Sequence, residues 1–272
     1  MIVPAMNTTW FWFEEQTRRH YHGTPADVMR KFDLLAAHRC LADGLEIYID
    51  PTRLRESEPF DARFYRRFAS LRFRSVHIGQ SDADFLDHER CHEELLCLRD
   101  LMEKLEADRL IIHAHHFQRN RIQRKKLLQS ALGSCSILIE NNGFDSRWGG
   151  SIQGLETIFA DCPEFRFCLD IAHVKDFPGS SLDDFLDHEL LMNRLQEIHY
   201  SYSTILLPSD PYAAIGFSGY GPYHALFSVL GIPLSSRTLE FVHRYPIVLE
   251  GVAPTEDTTL EFLKREISLL RS

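Results

Sequence analysis

Six apolar runs, spaced about one strand–helix unit apart, each end in a side chain able to bind a metal ion. In chain order they are SVHIG (His77), LIIHAHH (His113 and His115), ILIENN (Glu140), FCLDIAH (Asp170 and His173), EIHYSY (His199) and PIVLEG (Glu250). Short runs of Val, Ile, Leu and Phe bounded by polar turns have the pattern of strands buried in a parallel sheet. When parallel strands close into a barrel, their C-terminal ends open onto one face, and side chains far apart in sequence converge there. The converging groups are imidazoles and carboxylates, the donor set of zinc, manganese or a similar divalent ion. One such residue alone could be a helix cap or a satisfied core histidine. Repetition at the same place in run after run argues for a shared site.

The runs sit within a longer alternation. Strands are expected at Met1–Thr8, Leu45–Asp50, Ser75–Gly79, Leu110–His113, Ser136–Glu140, Arg166–Asp170, Glu197–Tyr202 and Ile247–Glu250. Between them the pattern is helical: Ala26–Leu41 behind the Thr24–Pro25 start signal, Arg63–Leu71, Asp87–Ala107, Arg119–Leu132, Leu155–Ala160, Leu182–Leu195, Ser235–His243 and Glu256–Leu270. Strand and helix alternating in this way over 272 residues predict one α/β domain, a closed (β/α)8 TIM barrel. An open doubly wound sheet would bring a Gly-rich first turn, which the sequence lacks. Trp10–Tyr21 has no clean period and is expected as a loop or short helix over one end of the barrel. The segment from His199 to Ser235 is rich in Gly, Pro, Tyr and Phe and nearly free of charge. A loop of that length in a compact barrel is expected to be a lid. His224 lies at its centre, and Tyr212, Phe217, Tyr220 and Tyr223 give it aromatic faces suited to a small ligand.

The formal net charge of −9 argues against polyanionic partners, so nucleic acid is disfavoured as a partner, though not excluded, and a small-molecule substrate is expected. Two basic clusters exist, Arg63–Arg74 and Arg119–Lys126; the second begins just after His113 and could touch phosphate, with a solvated helix face the expected reading. Six cysteines without a CxxC pair point to a reducing, cytoplasmic setting. The first residues carry no basic lead of a signal peptide, and no stretch approaches the ~18 apolar residues a membrane span requires. A homodimer is compatible with the composition.

Glu140, Asp170, His199 and Glu250 close neighbouring strands, and four such ligands suit one divalent ion with room for water or substrate. His77 and His113 end the strands beside Glu140, which could bridge to a second ion. His173 and His224 are placed to hold a third ion or to face substrate. Of the two histidines in phase on the fourth strand, His113 is the expected ligand, and His115 faces substrate or is structural. His20, His22, His38, His88, His92, His188 and His243 lie away from strand ends and are expected at the surface.

This series, with IEN at Ile139–Asn141, D-x-x-H at Asp170–His173 and LEG at Leu249–Gly251, resembles the xylose-isomerase-like TIM barrel superfamily. That superfamily includes sugar-phosphate isomerases and epimerases and the endonuclease-IV type of apurinic-site endonuclease (AP endonuclease family 2). The resemblance covers Ser75–Gly251 and implies a metal site of Glu140, Asp170, His199 and Glu250. In the isomerase and epimerase branch it implies proton transfer between Glu140 and Glu250 on opposite faces of the substrate, with His173 orienting a hydroxyl. In the endonuclease branch it implies a first zinc on His77, His113 and Glu140, and a third on His173 and an Asp-x-His pair. His224 matches the His of that pair, but Pro222 stands at the Asp position and cannot ligate. The expected function is a divalent-metal-dependent isomerase or epimerase acting on a sugar or sugar phosphate. The alternative is a two-metal zinc hydrolase cleaving an abasic-site DNA phosphodiester, or a small phosphodiester or amide. A non-catalytic binding barrel is the third reading.

Overall fold

A computed structural model describes residues 4–7, 25–40, 44–54, 60–78, 85–87, 89–144, 146–216, 224–232, 234–253 and 259–271. Eight parallel strands close into a barrel: β1 (Pro4–Asn7), β2 (Gly44–Ile49), β3 (Phe73–Ile78), β4 (Arg109–His113), β5 (Ser136–Glu140), β6 (Arg166–Asp170), β7 (Leu195–Tyr200) and, last in the chain, β10 (Ile247–Leu249). Each pairs with its sequence neighbour among these, and β10 closes on β1. The intervening helices include α1 (Pro25–Ala37), α2 (Ala62–Ala69), α3 (Cys91–Leu105), α4 (Arg121–Leu132) and α5 (Ile152–Asp161). After β6 come three short helices, α6 (Ile171–Lys175), α7 (Leu182–Leu186) and α8 (Glu189–Met192), and the C-terminal third adds α9 (Phe227–Leu230), α10 (Ser236–Val242) and α11 (Glu261–Arg271). The expected (β/α)8 barrel is therefore the observed one.

Three local expectations need correction. The run Leu182–Leu195 is not one helix: α7 ends at its cap Asp187, and a separate turn starts beyond His188. The seventh strand begins at Leu195 and stops at Tyr200. Tyr202–Ser203 (β8) instead pairs antiparallel with His224–Ala225 (β9), a small hairpin inside the expected lid. Tyr212 pins that segment, its hydroxyl donating to the Val252 carbonyl and accepting from the Leu226 amide. Trp10–Tyr21, Phe217, Tyr220, Pro222 and Tyr223 lie outside the described residues.

Because strand side chains alternate between faces, residues two apart share one. The phase carrying Leu45, Ile47 and Ile49 on β2, or Leu110 and Ile112 on β4, packs outward beneath the helices in the main apolar core. The opposite phase fills the barrel. Two residues before the site positions it holds Ser75, Ile111, Leu138, Cys168 and Glu197, every one buried. Ile111, Leu138 and Cys168 form a separate apolar cluster there. On the other side of the lumen the filling is polar, with Glu46 joining Ser75 and Glu197.

Candidate metal centre

Strand register brings the expected ligands to one level. His113 pairs with Glu140, and Asp170 pairs with His199. Donor atoms of Glu140, Asp170, His199 and Glu250 lie within 4.8 Å of one another, as do those of His77, His113 and Glu140, and those of Asp170, His173 and His224. Glu140 and Asp170 each belong to two groups. His77 Nε2 is 2.9 Å from Glu140 Oε2, His199 Nδ1 is 3.3 Å from Glu250 Oε1, and His173 Nε2 is 3.4 Å from Asp170 Oδ2.

Asp170 serves two ends at once. Its Oδ1 caps α6 by accepting from the His173 amide at 3.0 Å, while Oδ2 is turned into the cluster. Capping therefore uses one oxygen of Asp170 and leaves the other available to a cation. Asn141 fixes the strand end, donating to the Asp170 carbonyl at 2.9 Å and accepting from its amide at 2.8 Å. Asp176 steers His173: its carboxylate lies 3.4 Å from His173 Nδ1, accepts from the Phe144 amide at 3.1 Å, and is held by the Ser203 hydroxyl. Gly143 makes room for that contact, since a Cβ there would collide with Asp176 Oδ2 and His173 Nδ1.

The residues fit a divalent cation. His77 Nε2, both oxygens of Glu140, Asp170 Oδ2 and both nitrogens of His199 are buried and satisfied by no hydrogen bond. Buried polar atoms are almost always paired, and a group of converging orphaned donors is the arrangement a cation completes. In its metal-free form the cluster balances charge internally. Burial alone would raise the Glu140 and Glu250 carboxyls, but neighbouring imidazoles, His113 and His77 for Glu140 and His199 for Glu250, outweigh it and hold both well below the usual carboxylate range. Burial, with Glu250 and Glu140 close by, keeps the Asp170 carboxyl well above it. For His77 and His199 burial opposes charging, yet the surrounding carboxylates prevail and hold both imidazoles well above their ordinary value. His173 is likewise lifted to about 10, Asp170 and Asp176 outweighing burial, while burial beside His173 pushes His224 down to about 4.

The other expected site residues are close by. His115 accepts a hydrogen bond at Nδ1 from Asn142 at 2.8 Å, and its ring lies 5.8 Å from that of His113. His224 Nδ1 is 2.8 Å from Ser201 Oγ. Glu46, Glu197 and Asp176 carried a signal that was not used. Glu197 is in strand phase with His199, Glu46 is a carboxylate on the phase of β2 opposite its apolar residues, and Asp176 follows His173 at helical spacing. The basic clusters are largely tied up: Arg67 pairs with Asp33, Arg74 donates to the Ala69 and Leu71 carbonyls, Arg121 meets Asp161 at 2.5 Å, and Arg124 meets Asp87 at 2.5 Å. All six cysteines are free, and among the described residues no helix is long and apolar enough to cross a membrane.

No protein-family model matches the sequence, and no curated protein matches it. Solved structures do. The probable 3-DHS dehydratase AsbF involved in petrobactin synthesis, from Bacillus anthracis, superposes with a TM-score of 0.64 at 15% identity, covering 100% of this chain and 99% of that one. A putative xylose isomerase from Rhodospirillum rubrum gives 0.61 at 14% identity, covering 100% and 98%. D-psicose 3-epimerase from Clostridium cellulolyticum H10 gives 0.57 at 12% identity, covering 100% and 97%. Likeness at such low identity speaks to architecture along the whole length and leaves the chemistry to the site. The chain has the fold of the xylose-isomerase-like TIM barrels.

Proposed function

We propose that this protein is a divalent-metal-dependent enzyme that moves a proton at the carbon beside a carbonyl of a sugar or sugar-phosphate-like molecule, as an isomerase or epimerase. The observation that carries this reading is the convergence of Glu140, Asp170, His199 and Glu250, buried at the mouth of the barrel with orphaned donor atoms. These four would hold the cation, zinc or manganese by donor type, and when bound it would polarise substrate oxygens and acidify the neighbouring C–H.

The remaining work falls to the side chains. Glu140 and Glu250 are held ionised, the state a base requires. One would take the proton, and the other would return it, to the opposite face for epimerisation or to the adjacent carbon for isomerisation. His173, charged and fixed through Asp176, would donate to a substrate hydroxyl. The His224 ring lies 5.0 Å from that of His173, the His115 ring 5.8 Å from that of His113, and exposed Phe144, Leu206 and Ile215 offer apolar surface on segments leading from the strand ends. Proteins named as an epimerase, a putative xylose isomerase and a probable dehydratase share the fold, which is consistent with proton abstraction next to a carbonyl.

A second reading, a hydrolase using two or three zinc ions, is favoured by the additional groups His77, His113, Glu140 and Asp170, His173, His224. A DNA substrate is disfavoured by the internal pairing of the basic segments. The deciding experiment incubates the metal-loaded protein in D2O with a panel of ketoses, aldoses and their phosphates. Deuterium gained at the carbon next to the carbonyl supports proton transfer. No exchange on any sugar, with cleavage of an abasic-site duplex or a small phosphodiester, would transfer the assignment to hydrolysis.

A further inference from the structure

Below the metal centre lie two fully buried carboxylates to which the chemistry above gives no role, Glu46 and Glu197. Burying a carboxylate costs several kcal/mol, on the order of a large share of a domain's net stability, unless partners compensate. The partners of Glu46 are specific. Its Oε2 accepts from the Ser75 hydroxyl at 2.7 Å. Its Oε1 lies 3.2 Å from His77 Nδ1 and 3.5 Å from His199 Nε2, so one oxygen stands between two rings whose centroids are 5.1 Å apart. His77 meets Glu46 with Nδ1, which also lies 3.7 Å from Glu250 Oε1, and His199 meets it with Nε2. The opposite nitrogens face the ligand cluster: His77 Nε2 toward Glu140 at 2.9 Å, and His199 Nδ1 toward Glu250 at 3.3 Å and Glu140 at 3.5 Å.

An ionised carboxylate can only accept hydrogen bonds. Once a cation engages Glu140 and Glu250, Glu46 would favour a proton on His77 Nδ1, at hydrogen-bond distance, and its charge 3.5 Å from His199 Nε2 would favour one there, leaving the lone pairs of His77 Nε2 and His199 Nδ1 toward the mouth. Glu197 Oε1, at 3.5 Å from His199 Nε2, reinforces the second of these. We propose that Glu46 is a positioning residue that sets the tautomers of His77 and His199, so that the cation is met by Nε2 of the first ring and Nδ1 of the second. The proposal rests on the metal-centre reading above. Glu46 is close enough to His77, His199 and Glu250 to count as a donor itself, but Ser75 and His77 already engage its two oxygens. Metal-bound histidines commonly donate their other N–H to a carboxylate. Here one carboxylate serves two ligands with opposite nitrogens presented.

The test uses the full chain labelled with 15N-histidine and 113Cd as the probe ion. The expected spectrum shows 15N–113Cd coupling at His77 Nε2 and His199 Nδ1, with protons on the other nitrogens. Coupling at His77 Nδ1 or His199 Nε2 overturns the proposal. Calorimetric titration of Glu46→Gln with Cd2+ is expected to show affinity lowered ~10–100-fold, with the single coupling pattern lost. Unchanged affinity and couplings in Glu46→Gln would refute the positioning role while leaving the metal centre intact. A wild-type protein that binds no divalent cation would remove both. Should Glu46→Gln fail to fold, Ser75→Ala, which frees one Glu46 oxygen, is expected to lower the affinity in the same direction by a smaller factor. An unchanged affinity there, like a wrong coupling in the wild type, counts against the proposal.

Discussion

Replacing Asp170 by Asn should make the protein respond to divalent cations and to chelators in opposite senses. The change is nearly isosteric, and the amide oxygen can still accept from the His173 amide, so the α6 cap survives. In the metal-free protein the substitution gives up the contact with His173 at 3.4 Å but also removes a carboxyl that burial and the nearby Glu250 and Glu140 hold well above its usual range. The sign follows from linkage. A carboxyl whose folded pKa is raised contributes stability present at low pH and lost as pH rises through that pKa. At neutral pH in a chelator, Asp170→Asn should therefore melt no lower than the wild type. With cation the order should reverse. A ligand at 100 times its Kd stabilises by about 2.7 kcal/mol. For 272 residues the unfolding entropy is about 0.6 kcal/mol/K, so the wild-type Tm should rise by about 5 °C. Losing an anionic ligand should weaken binding by at least the ~10–100-fold expected for a supporting residue, which leaves a shift of about 2.5 °C or less at the same concentration. Differential scanning calorimetry of both proteins, with EDTA and with Mn2+ or Zn2+, reads all four values. A drop of several degrees for Asp170→Asn in EDTA would mean the carboxylate is structural, and an equal cation shift in both proteins would mean it is no ligand.

Cation binding should expel protons. His77 and His199 are held protonated in the metal-free form and must lose a proton to ligate, so affinity should rise with pH, up to about tenfold per unit for each proton displaced. Titration calorimetry in two buffers of different ionisation heat measures the number, and zero would contradict the charge assignment. Gly143→Ala should displace Asp176 and His173 and lower turnover by roughly tenfold or more while preserving most of the cation-induced Tm shift, a split that separates substrate orientation from metal binding. Glu266 accepts from the Phe227 amide at 2.9 Å and the Ser228 amide at 2.7 Å, joining α11 to the start of α9. Glu266→Ala should cost about 2–4 kcal/mol by leaving both amides bare, seen in urea denaturation. Because burial raises the Glu266 carboxyl, Glu266→Gln should gain on the wild type as pH climbs from 4 to 7, and a difference that stays flat would show that the carboxyl is unperturbed.

The strands most legible in the sequence were those whose ends are marked by chemistry. β5 and β6 begin and stop at the expected residues because a charged ligand terminates each apolar run. β7 was displaced by two residues because EIHYSY stays strand-like through Tyr202, and only the antiparallel pairing with Ala225 shows that the chain has left the barrel. Helix periodicity ran across Asp187 and His188 because both are compatible with a helix, whereas in the fold the chain turns there and Arg237 meets Asp183 at 2.8 Å and also pairs with Asp187. Within the site, the residues that close strands were found and those beneath or beside them were not. The apolar alternation of Leu45, Ile47 and Ile49 on β2 marks the phase facing the helices, which in a closed barrel is the ordinary one. The informative residue was Glu46, on the phase facing the lumen. Asp176 was missed because it lies beyond the strand, on the short helix turn that the D-x-x-H spacing had already begun.

The uneven filling of the lumen divides the candidate ligands into two mechanical classes. His77 and His199 stand over the polar side, where Glu46 and Glu197 can hold each ring from below and so fix which nitrogen it presents. Glu140 and Asp170 stand over Leu138 and Cys168, which belong to the apolar cluster with Ile111. Asp170 retains one fixed oxygen through the α6 cap, but both oxygens of Glu140 lack hydrogen bonds. Glu140 is also shared between the His77–His113 group and the group containing Glu250. A rigid imidazole frame with one untethered carboxylate at its centre is suited to coordination that changes during turnover. On the proposed reading, the imidazoles would hold position while Glu140 accepted the proton. Tethering Glu140 as firmly as His77 would bind a cation well and turn substrate over slowly.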